Sequence, residues 1–519
     1  MNQTPGDSDG STSGSGTATV ERNLAYYLER HAAEATALVT PAGTITHGDL
    51  RSGIARWRRA LIEAGVGRGD RVALLTGNHP DFVHLHVATI GLGAISVPLN
   101  CDSPPAELLP QLEAVDPAVI HVGPEGEKVW TGVPSPFAER RLTSPSANVG
   151  NGNGNGNGSG ATGDDPGVVA VSGSEPALLI FTSGTAGPSK PAILTHDNLV
   201  SSLQSVLSLP LDLVSEPHSF LAVIPLFHVF GVHMVVHLAL ITGGSVILDD
   251  YGNAQHMLEL IRAHRPMVVA GPPALWQRMV AQGGQATDFG SVRLAVSGAA
   301  ALPPKLAVQV DDQLGLVLHD GYGLTESSAV AASTLGVADP PLGSVGLLMP
   351  GVEARLVDTD GSECLTGDPG ELWLRGPMIS PGYWGEDGRH DSRVEDGWLR
   401  TGDVAVVDKS GFLAIVGRRK DLIIVSGFNV YPAEVEAALM AHPGVAQVGV
   451  VGEPLEATGE AVVAFVVPEP GVTLDDSELW SHCGELLARY KVPHRFVVAE
   501  QLPIGPTGKL RRNRLLAQP

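Results

Sequence analysis

The segment Phe181-Thr182-Ser183-Gly184-Thr185-Ala186-Gly187-Pro188-Ser189-Lys190 gathers hydroxyls, glycines and a terminal lysine in one short loop. Those are the groups that hold phosphate. Gly184 and Gly187 can adopt positive φ and let backbone N–H groups converge on an anion, while Thr182, Ser183 and Thr185 add hydroxyl donors and Lys190 a mobile positive charge. The spacing does not fit the G-x-x-x-x-G-K-[ST] loop of nucleoside triphosphatases, and no Ser or Thr follows the lysine. A flexible surface turn has the same composition, so the loop alone does not decide its role.

Five further segments carry matching chemistry. Asp320-Gly321-Tyr322-Gly323-Leu324-Thr325-Glu326 offers an aromatic face for a base, a hydroxyl, and a carboxylate suited to Mg²⁺, which prefers oxygen ligands beside phosphate. Trp398-Leu399-Arg400-Thr401-Gly402-Asp403 places a carboxylate after an expected turn, suited to ribose hydroxyls. Gly417-Arg418 supplies a guanidinium, Ser426-Gly427-Phe428-Asn429 a glycine that allows close backbone approach, and Pro506-Thr507-Gly508-Lys509 a lysine on a mobile turn. Each has a bland reading as a turn or a solvated charge. Their order and spacing together do not.

The elements that must position these groups are legible in outline. Ala177-Leu178-Leu179-Ile180-Phe181 reads as a short buried strand, so the loop lies at a strand's carboxyl end, where α/β proteins bind ligands. Leu50, Ile54, Trp57 and Leu61 recur at helical spacing, with Gly65 as a cap, and Arg71–Leu75 follows as a strand. A helix over 81–92 and a strand over 94–98 continue the alternation, which predicts a parallel sheet covered by helices. Beyond Gly417–Asp421 the pattern changes: a helix from Pro432, strands at 445–451 and 461–467, a helix over 475–490 and a strand near Phe496. The expected fold is therefore α/β, a large N-terminal domain of helix-covered sheets over 21–419 and a small mobile α+β domain over 420–519. Residues 1–20 read as a disordered tail, and the Asn/Gly-rich 148–163 as a surface linker loop.

Composition narrows the partners. A chain of 519 residues exceeds one hydrophobic core, and 43% hydrophobic residues is ample for several. With 33 basic against 56 acidic side chains, the formal charge of −23 argues against nucleic acid or an anionic membrane as the main partner. An anionic ligand must then be held by a local cluster. Cys101, Cys364 and Cys483 are widely spaced, which fits a reduced, cytoplasmic protein without a disulfide framework. The Gly/Ser-rich start lacks the basic and apolar regions of a signal peptide. The apolar stretch 220–241 contains Pro225, Gly231, His228, His233 and His237, which reads as a buried core element and not as a membrane span. His233 and His237 have the spacing of a metal pair, but no third ligand is near, so they read as core or pocket histidines. Basic residues gather at the end of the chain, Arg489, Lys491, Arg495, Lys509, Arg511, Arg512 and Arg514, as a tip that could meet phosphate.

Taken together, these motifs resemble the adenylate-forming superfamily of acyl-CoA synthetases, adenylation domains and luciferases, from about Ala25 to Leu516. Val425-Ser426-Gly427-Phe428-Asn429-Val430-Tyr431-Pro432 looks most like fatty acid:CoA ligases. The resemblance implies a carboxylic acid activated by ATP and Mg²⁺ to acyl-AMP, then transfer to the thiol of CoA or of a carrier protein's phosphopantetheine. Lys509 matches the lysine of the first step, and Thr325, Glu326 and His228 fall with the catalytic set, Glu326 as the Mg²⁺ ligand. Thr182, Ser183, Gly184, Thr185, Gly187 and Lys190 match the phosphate loop; Tyr322 and Asp320 match the base side, with Gly298, Ala299, Gly321 and Gly323 among the cofactor-binding positions; Asp403 and Arg418 match the ribose side. Gly427 matches the wall of a pantetheine tunnel, and Lys420 the hinge about which the small domain rotates. An acyl-CoA ligase acting on a fatty acid is the leading reading. Loading of a carrier protein, an aryl acid substrate and a non-catalytic acyl-nucleotide binder are the alternatives. His228 stands where relatives that activate amino acids carry an aspartate, and an ammonium left unpaired in an apolar pocket is costly. Phe230, Val232 and Met234 with no obvious arginine point to an aliphatic or aryl monocarboxylic acid. Pro191 replaces the glycine usual after the loop lysine, which removes an N–H and fixes φ.

Overall fold

The computed structural model describes residues 19–145, 165–182, 189–211, 213, 218–249, 254–358, 360–385, 394–426, 428–455, 457–503 and 510–516. The 148–163 linker lies outside them, as does most of the N-terminal tail. Thr19, assigned to that tail, is ordered instead: its N–H and C=O exchange bonds of 3.0 and 3.1 Å with Val171. Short polar residues can join a sheet edge when a partner strand presents unpaired backbone groups.

The helix His47–Glu63 shows how local sequence builds the first layer. Thr46 and Asp49 cap its start reciprocally, and Leu50, Ile54, Trp57 and Leu61 form its buried stripe. The next helix, Pro80–Gly91, is buried from Phe82 onward on every side. It can be apolar all round because it packs on the strands Arg71–Leu75 and Ile95–Pro98 and also against the helices Leu24–Leu28 and His47–Glu63.

These strands belong to a six-stranded sheet in which Arg71–Leu75, Ile95–Pro98, Val119–Val122 and Pro176–Phe181 run parallel. The last of them turns back as Pro191–Thr195, antiparallel to Pro176–Phe181. The motif from Thr182 to Lys190 thus connects two antiparallel strands.

A nine-stranded sheet holds Ser219–Ala222, Ser245–Leu248, Val268–Gly271, Leu294–Ser297 and Leu318–Tyr322, all parallel to their neighbours among these five. Their carboxyl ends deliver Pro225 to Phe230, Pro272, Gly298–Ala299 and Asp320–Tyr322 to one edge. A five-stranded antiparallel sheet follows, with Gly370–Arg375 and Trp398–Val407 at its centre and Leu413–Arg418 paired to the latter at an edge. Its exposed face carries alternating cations and rings: Arg355 lies 4.4 Å from the Trp373 ring and 4.5 Å from that of Trp398.

The C-terminal domain has a core of its own, with Ile423, Val430, Val435, Leu439, Val462, Leu479 and Phe496 packed in one cluster. Its long hairpin, Val445–Leu455 against Gly459–Pro468, carries Arg495–Val498 as a parallel edge strand. The helix expected over 475–490 ends earlier, at Leu486. Leu487 turns extended, and the Trp480 indole N–H donates to the Pro493 carbonyl at 2.7 Å, drawing the chain back across the helix. Three residues of the basic tip are paired: Lys491 with Glu434, Arg495 with Glu453, and Arg512 with Glu436.

Candidate active site

The hairpin stem is closed before the loop begins. The Thr182 N–H and hydroxyl both donate to the Lys190 carbonyl, at 3.0 and 3.2 Å, and the Ser189 hydroxyl donates to the Thr182 carbonyl at 2.5 Å. Ser183, Gly184, Thr185 and Gly187 lie outside the described residues, as do Gly427 and Lys509. Pro191 opens the return strand, a position where a missing N–H is tolerated. Its carbonyl still accepts from the Trp384 N–H at 2.8 Å.

On the base side, Asp320 pairs with Ser297 across the sheet, which brings Gly298 and Ala299 beside it. Asp320 is 7% exposed, and burial pushes its carboxyl up to about 7 although the Gly321 N–H donates to it at 2.9 Å. A side chain at Gly323 would place Cβ 2.0 Å from the Ala329 carbonyl oxygen, so only glycine fits there. Gly321 has ordinary room, and packing does not dictate its identity.

Tyr322, Asp403 and Arg418 form one linked unit. The Tyr322 hydroxyl donates to Asp403 Oδ2 at 2.7 Å, and Arg418 Nε meets Asp403 Oδ1 at 2.8 Å. Burial and the adjacent Asp403 carboxylate hold the Tyr322 phenol protonated, well above its ordinary range. Asp403 does not follow a turn, as its sequence suggested. It lies inside the strand Trp398–Val407, where Gly402 has φ +72° and the pairing with Leu413–Arg418 slips just beyond, between Val404 and Ala405. A left-handed residue re-aims the strand without ending it.

Thr325 and Glu326 occupy a single helical turn, Thr325–Ser327. The Tyr383 hydroxyl donates to Glu326 Oε1, and Oε2 accepts no hydrogen bond from the described residues. A carboxylate with one oxygen anchored fits a hard divalent cation. Among the described residues no group of three or more His, Cys, Asp or Glu could hold a metal, so the remaining ligands would come from phosphate and water.

At the acid end, a cavity of about 510 Å³ is lined by Val223, Ile224, His228, Phe230, Leu275 and Ala299. The Phe230 N–H donates to His228 Nδ1 at 3.2 Å, which leaves the proton of the neutral imidazole on Nε2. A Cβ on Gly298 would stand 2.9 Å from the Phe230 ring, so this glycine sets how deep the wall lies. Ala299 carries φ +66°, a strained backbone for a residue with a side chain. Lys128 and Arg278 also line this cavity, together with Asp102 and Glu125. The arginine that was not obvious in the sequence is therefore present in the lining. Neither cation has a carboxylate partner among the described residues. Arg278 bonds only its own helix, donating to the Ala274 carbonyl at 3.2 Å.

Behind this wall, Phe230–His237 is a π-helix, and its two histidines join a third. His233 Nδ1 lies 2.9 Å from His237 Nδ1, His237 Nε2 lies 2.7 Å from His86 Nε2, and His86 Nδ1 lies 2.8 Å from Ser96 Oγ. Burial lowers His86 and His233 to about 3, and it also holds His237 well below the ordinary imidazole range. They are core histidines held neutral. Lys420 lies between the last strand of the large domain and the first of the small one, in the turn Arg419–Asp421. Asp421 lies 4.0 Å from Lys420 Nζ and 3.7 Å from Arg512.

Fold and site together define an AMP-forming acid–thiol ligase, and comparison with known proteins agrees. The chain belongs to the AMP-binding enzyme family, whose pattern matches residues 25–384, with the AMP-binding enzyme C-terminal domain at 434–509. It is 34% identical to a feruloyl-CoA synthase of Amycolatopsis sp over 484 residues, 93% of this chain and 95% of that one. A long-chain-fatty-acid–CoA ligase of Yersinia pestis is 36% identical over 349 residues, 66% of this chain and 62% of the relative. Among solved structures, ATP-bound MatB from Rhodopseudomonas palustris superposes with TM-score 0.83 at 28% identity, covering 95% of this chain and 98% of that one. Among the described residues, no helix is long and apolar enough to cross a membrane.

Proposed function

We propose that this enzyme joins an aryl or fatty monocarboxylic acid to CoA by way of an acyl-adenylate. One observation carries the reading: Tyr322, which bonds to the Asp403 and Arg418 pair of the neighbouring sheet, and the cavity at His228 and Ala299 both lie at carboxyl ends of strands of the nine-stranded sheet. In the first step a carboxylate oxygen bonds to the α-phosphorus of ATP as the bond to pyrophosphate breaks. In the second, a thiol sulfur bonds to the acyl carbon and AMP leaves.

Charge gathers on phosphoryl oxygens in the first step, so cations and oriented donors matter more than a general base. Lys190 and the loop before it would grip the pyrophosphate end, and Thr325 the α-phosphate. Tyr322 would stack on adenine, Asp320 would accept from its exocyclic amine, and Asp403 with Arg418 would hold the ribose. Glu326 would hold Mg²⁺, which supplies charge neutralisation at the phosphates. Lys509 would bridge carboxylate and α-phosphate, then withdraw as the small domain (420–519) rotates about Lys420 and Gly427 opens the way for a thiol.

Support for an uncharged tail comes from the apolar wall and from the full-length likeness to a feruloyl-CoA synthase. A second reading, an acid with a further anionic group, is favoured by Lys128 and Arg278 in the cavity lining. The test is mass spectrometry of products from a panel of aryl, fatty and dicarboxylic acids, each offered CoA and a holo carrier protein. The expected product is an acyl-CoA from an aryl or fatty acid with release of AMP. Thioester on the carrier protein alone, or AMP without thioester, contradicts the assignment.

A further inference from the structure

Tyr383 stands out as a residue that touches two parts of the site at once. Its hydroxyl donates to Glu326 Oε1, and the two residues are only 5% and 7% exposed. Lys190 Nζ lies 5.9 Å from the centre of its ring, within the range over which an aromatic face attracts an ammonium. The backbone is tied at the same place. Ala192 and Tyr383 form an antiparallel bridge, with the Ile193 N–H donating to the Gly382 carbonyl at 2.9 Å and the Trp384 N–H to that of Pro191 at 2.8 Å. Ser380 closes the unit, its N–H donating to the Glu326 carbonyl at 2.8 Å and its hydroxyl to the Ile193 carbonyl at 2.7 Å. Residues 380–384 are thus stitched between the exit of the phosphate loop and the turn that carries Glu326.

A carboxylate that can spin about its last torsion offers either oxygen, or both, to a cation. A phenol fixed on Oε1 sets the plane of the group and leaves Oε2 for the metal. The arrangement holds because a buried hydroxyl left without a partner loses its hydration and gains nothing in return.

We infer that Tyr383 is a positioning residue: it presents Glu326 to the Mg²⁺ of Mg-ATP through Oε2 alone and keeps that carboxylate in register with the exit of the phosphate loop. The inference rests on the Mg-ATP reading above. Tyr383 itself touches neither nucleotide nor acid in this scheme, and it acts through Glu326.

Tyr383→Phe keeps the ring and removes the donor. In the full-length enzyme, Mn²⁺ binding followed by electron paramagnetic resonance with a non-hydrolysable ATP analogue should weaken about 10-fold, the usual cost of losing an outer-shell partner. Calorimetric binding of AMP without metal should stay within about two-fold, since the lost bond lies on the metal side. In a Glu326→Gln background, Tyr383→Phe should add nothing. Glu326→Asp, which draws the carboxylate away from the phenol, should reproduce the metal loss, so the inference is testable even if the tyrosine variant does not fold. Unchanged Mn²⁺ affinity in the variants overturns it, as does an equal loss of metal-free AMP binding. A wild-type enzyme that makes acyl-AMP while Tyr383→Phe binds Mn²⁺ normally sinks the role of Tyr383 alone. A wild-type enzyme that adenylates no acid takes the functional reading down with it.

Discussion

The end where we place the nucleotide is a chain of polar and charged groups that satisfy one another, Tyr322 to Asp403 to Arg418, whereas the end where we place the acid is a cavity whose lining joins the apolar Val223, Ile224, Phe230 and Leu275 to the charged Asp102, Glu125, Lys128 and Arg278. The difference is one of tolerance. A buried polar network fails when one member is removed, because the partners left behind lose their bonds and stay desolvated. An apolar wall responds in proportion to volume, and a methylene more or less shifts preference by about 1–3 kcal/mol. The nucleotide end should therefore affect every acid alike, and the acid end should discriminate among them.

The largest expected effect breaks the polar end. Asp403→Asn leaves Arg418 without its carboxylate and should lower kcat/KM for Mg-ATP about 100-fold, the loss expected from charged hydrogen bonds of about 1.5–3 kcal/mol each. Steady-state kinetics checks this, and a change of less than three-fold on that scale would remove Asp403 from nucleotide binding.

A smaller effect sharpens the apolar end. Gly298→Val pushes a side chain against the Phe230 ring and should shift preference towards shorter acids by about 10-fold. Nucleotide KM should hardly move in the same assays. An equal loss for all acids would mean that the glycine serves the nucleotide instead.

Asp320 gives a gentler test. Its carboxyl, raised to about 7 by burial, becomes a charged acceptor only as pH climbs through neutrality. AMP affinity should rise about three-fold between pH 6 and 8, and Asp320→Asn should flatten that rise; a wild-type titration without slope contradicts the assignment.

The smallest effect on turnover near neutral pH concerns stability: two buried histidines lie behind the cavity wall, and a third, His196, opens the helix His196–Leu207 and accepts from the Leu24 N–H. His86, His196 and His233 are lowered by burial to about 3, 4 and 3, so they stay neutral in the fold while the unfolded chain takes up protons below about 6.5. Stability from them is complete above that value and is lost as pH falls towards 4, by about 1.4 kcal/mol per unit for each histidine. Asp320 opposes this with one group, because its raised carboxyl favours the fold at lower pH. The urea midpoint should drop between pH 6.5 and 5, and a constant midpoint would contradict the neutral core histidines.

The same contrast decides what the sequence could tell. Tyr322, Asp403 and Arg418 belong to short motifs with distinctive residue types, so they were readable although 81 residues separate the first two. Tyr383 was not, because nothing in Pro381-Gly382-Tyr383-Trp384 points to a carboxylate 57 residues earlier. That meeting is made by a backbone bridge to Ala192, a tertiary event without local signature. The same bridge tolerates Pro191, because it uses the carbonyl of that residue and not the N–H that proline lacks. His233 and His237 were seen as a pair from their spacing. His86, 151 residues before His237, joins them only through helix packing. Arg278 escaped notice because an exposed helical arginine looks the same whether or not a cavity opens beside it.

The most direct measurement is ATP–pyrophosphate exchange over the acid panel for the wild type, Asp403→Asn and Gly298→Val. The account predicts exchange with aryl or fatty acids, a uniform fall across all acids for Asp403→Asn, and a reordering of acids for Gly298→Val. Reordering by Asp403→Asn, or a uniform fall for Gly298→Val, would contradict the division of labour between the two ends.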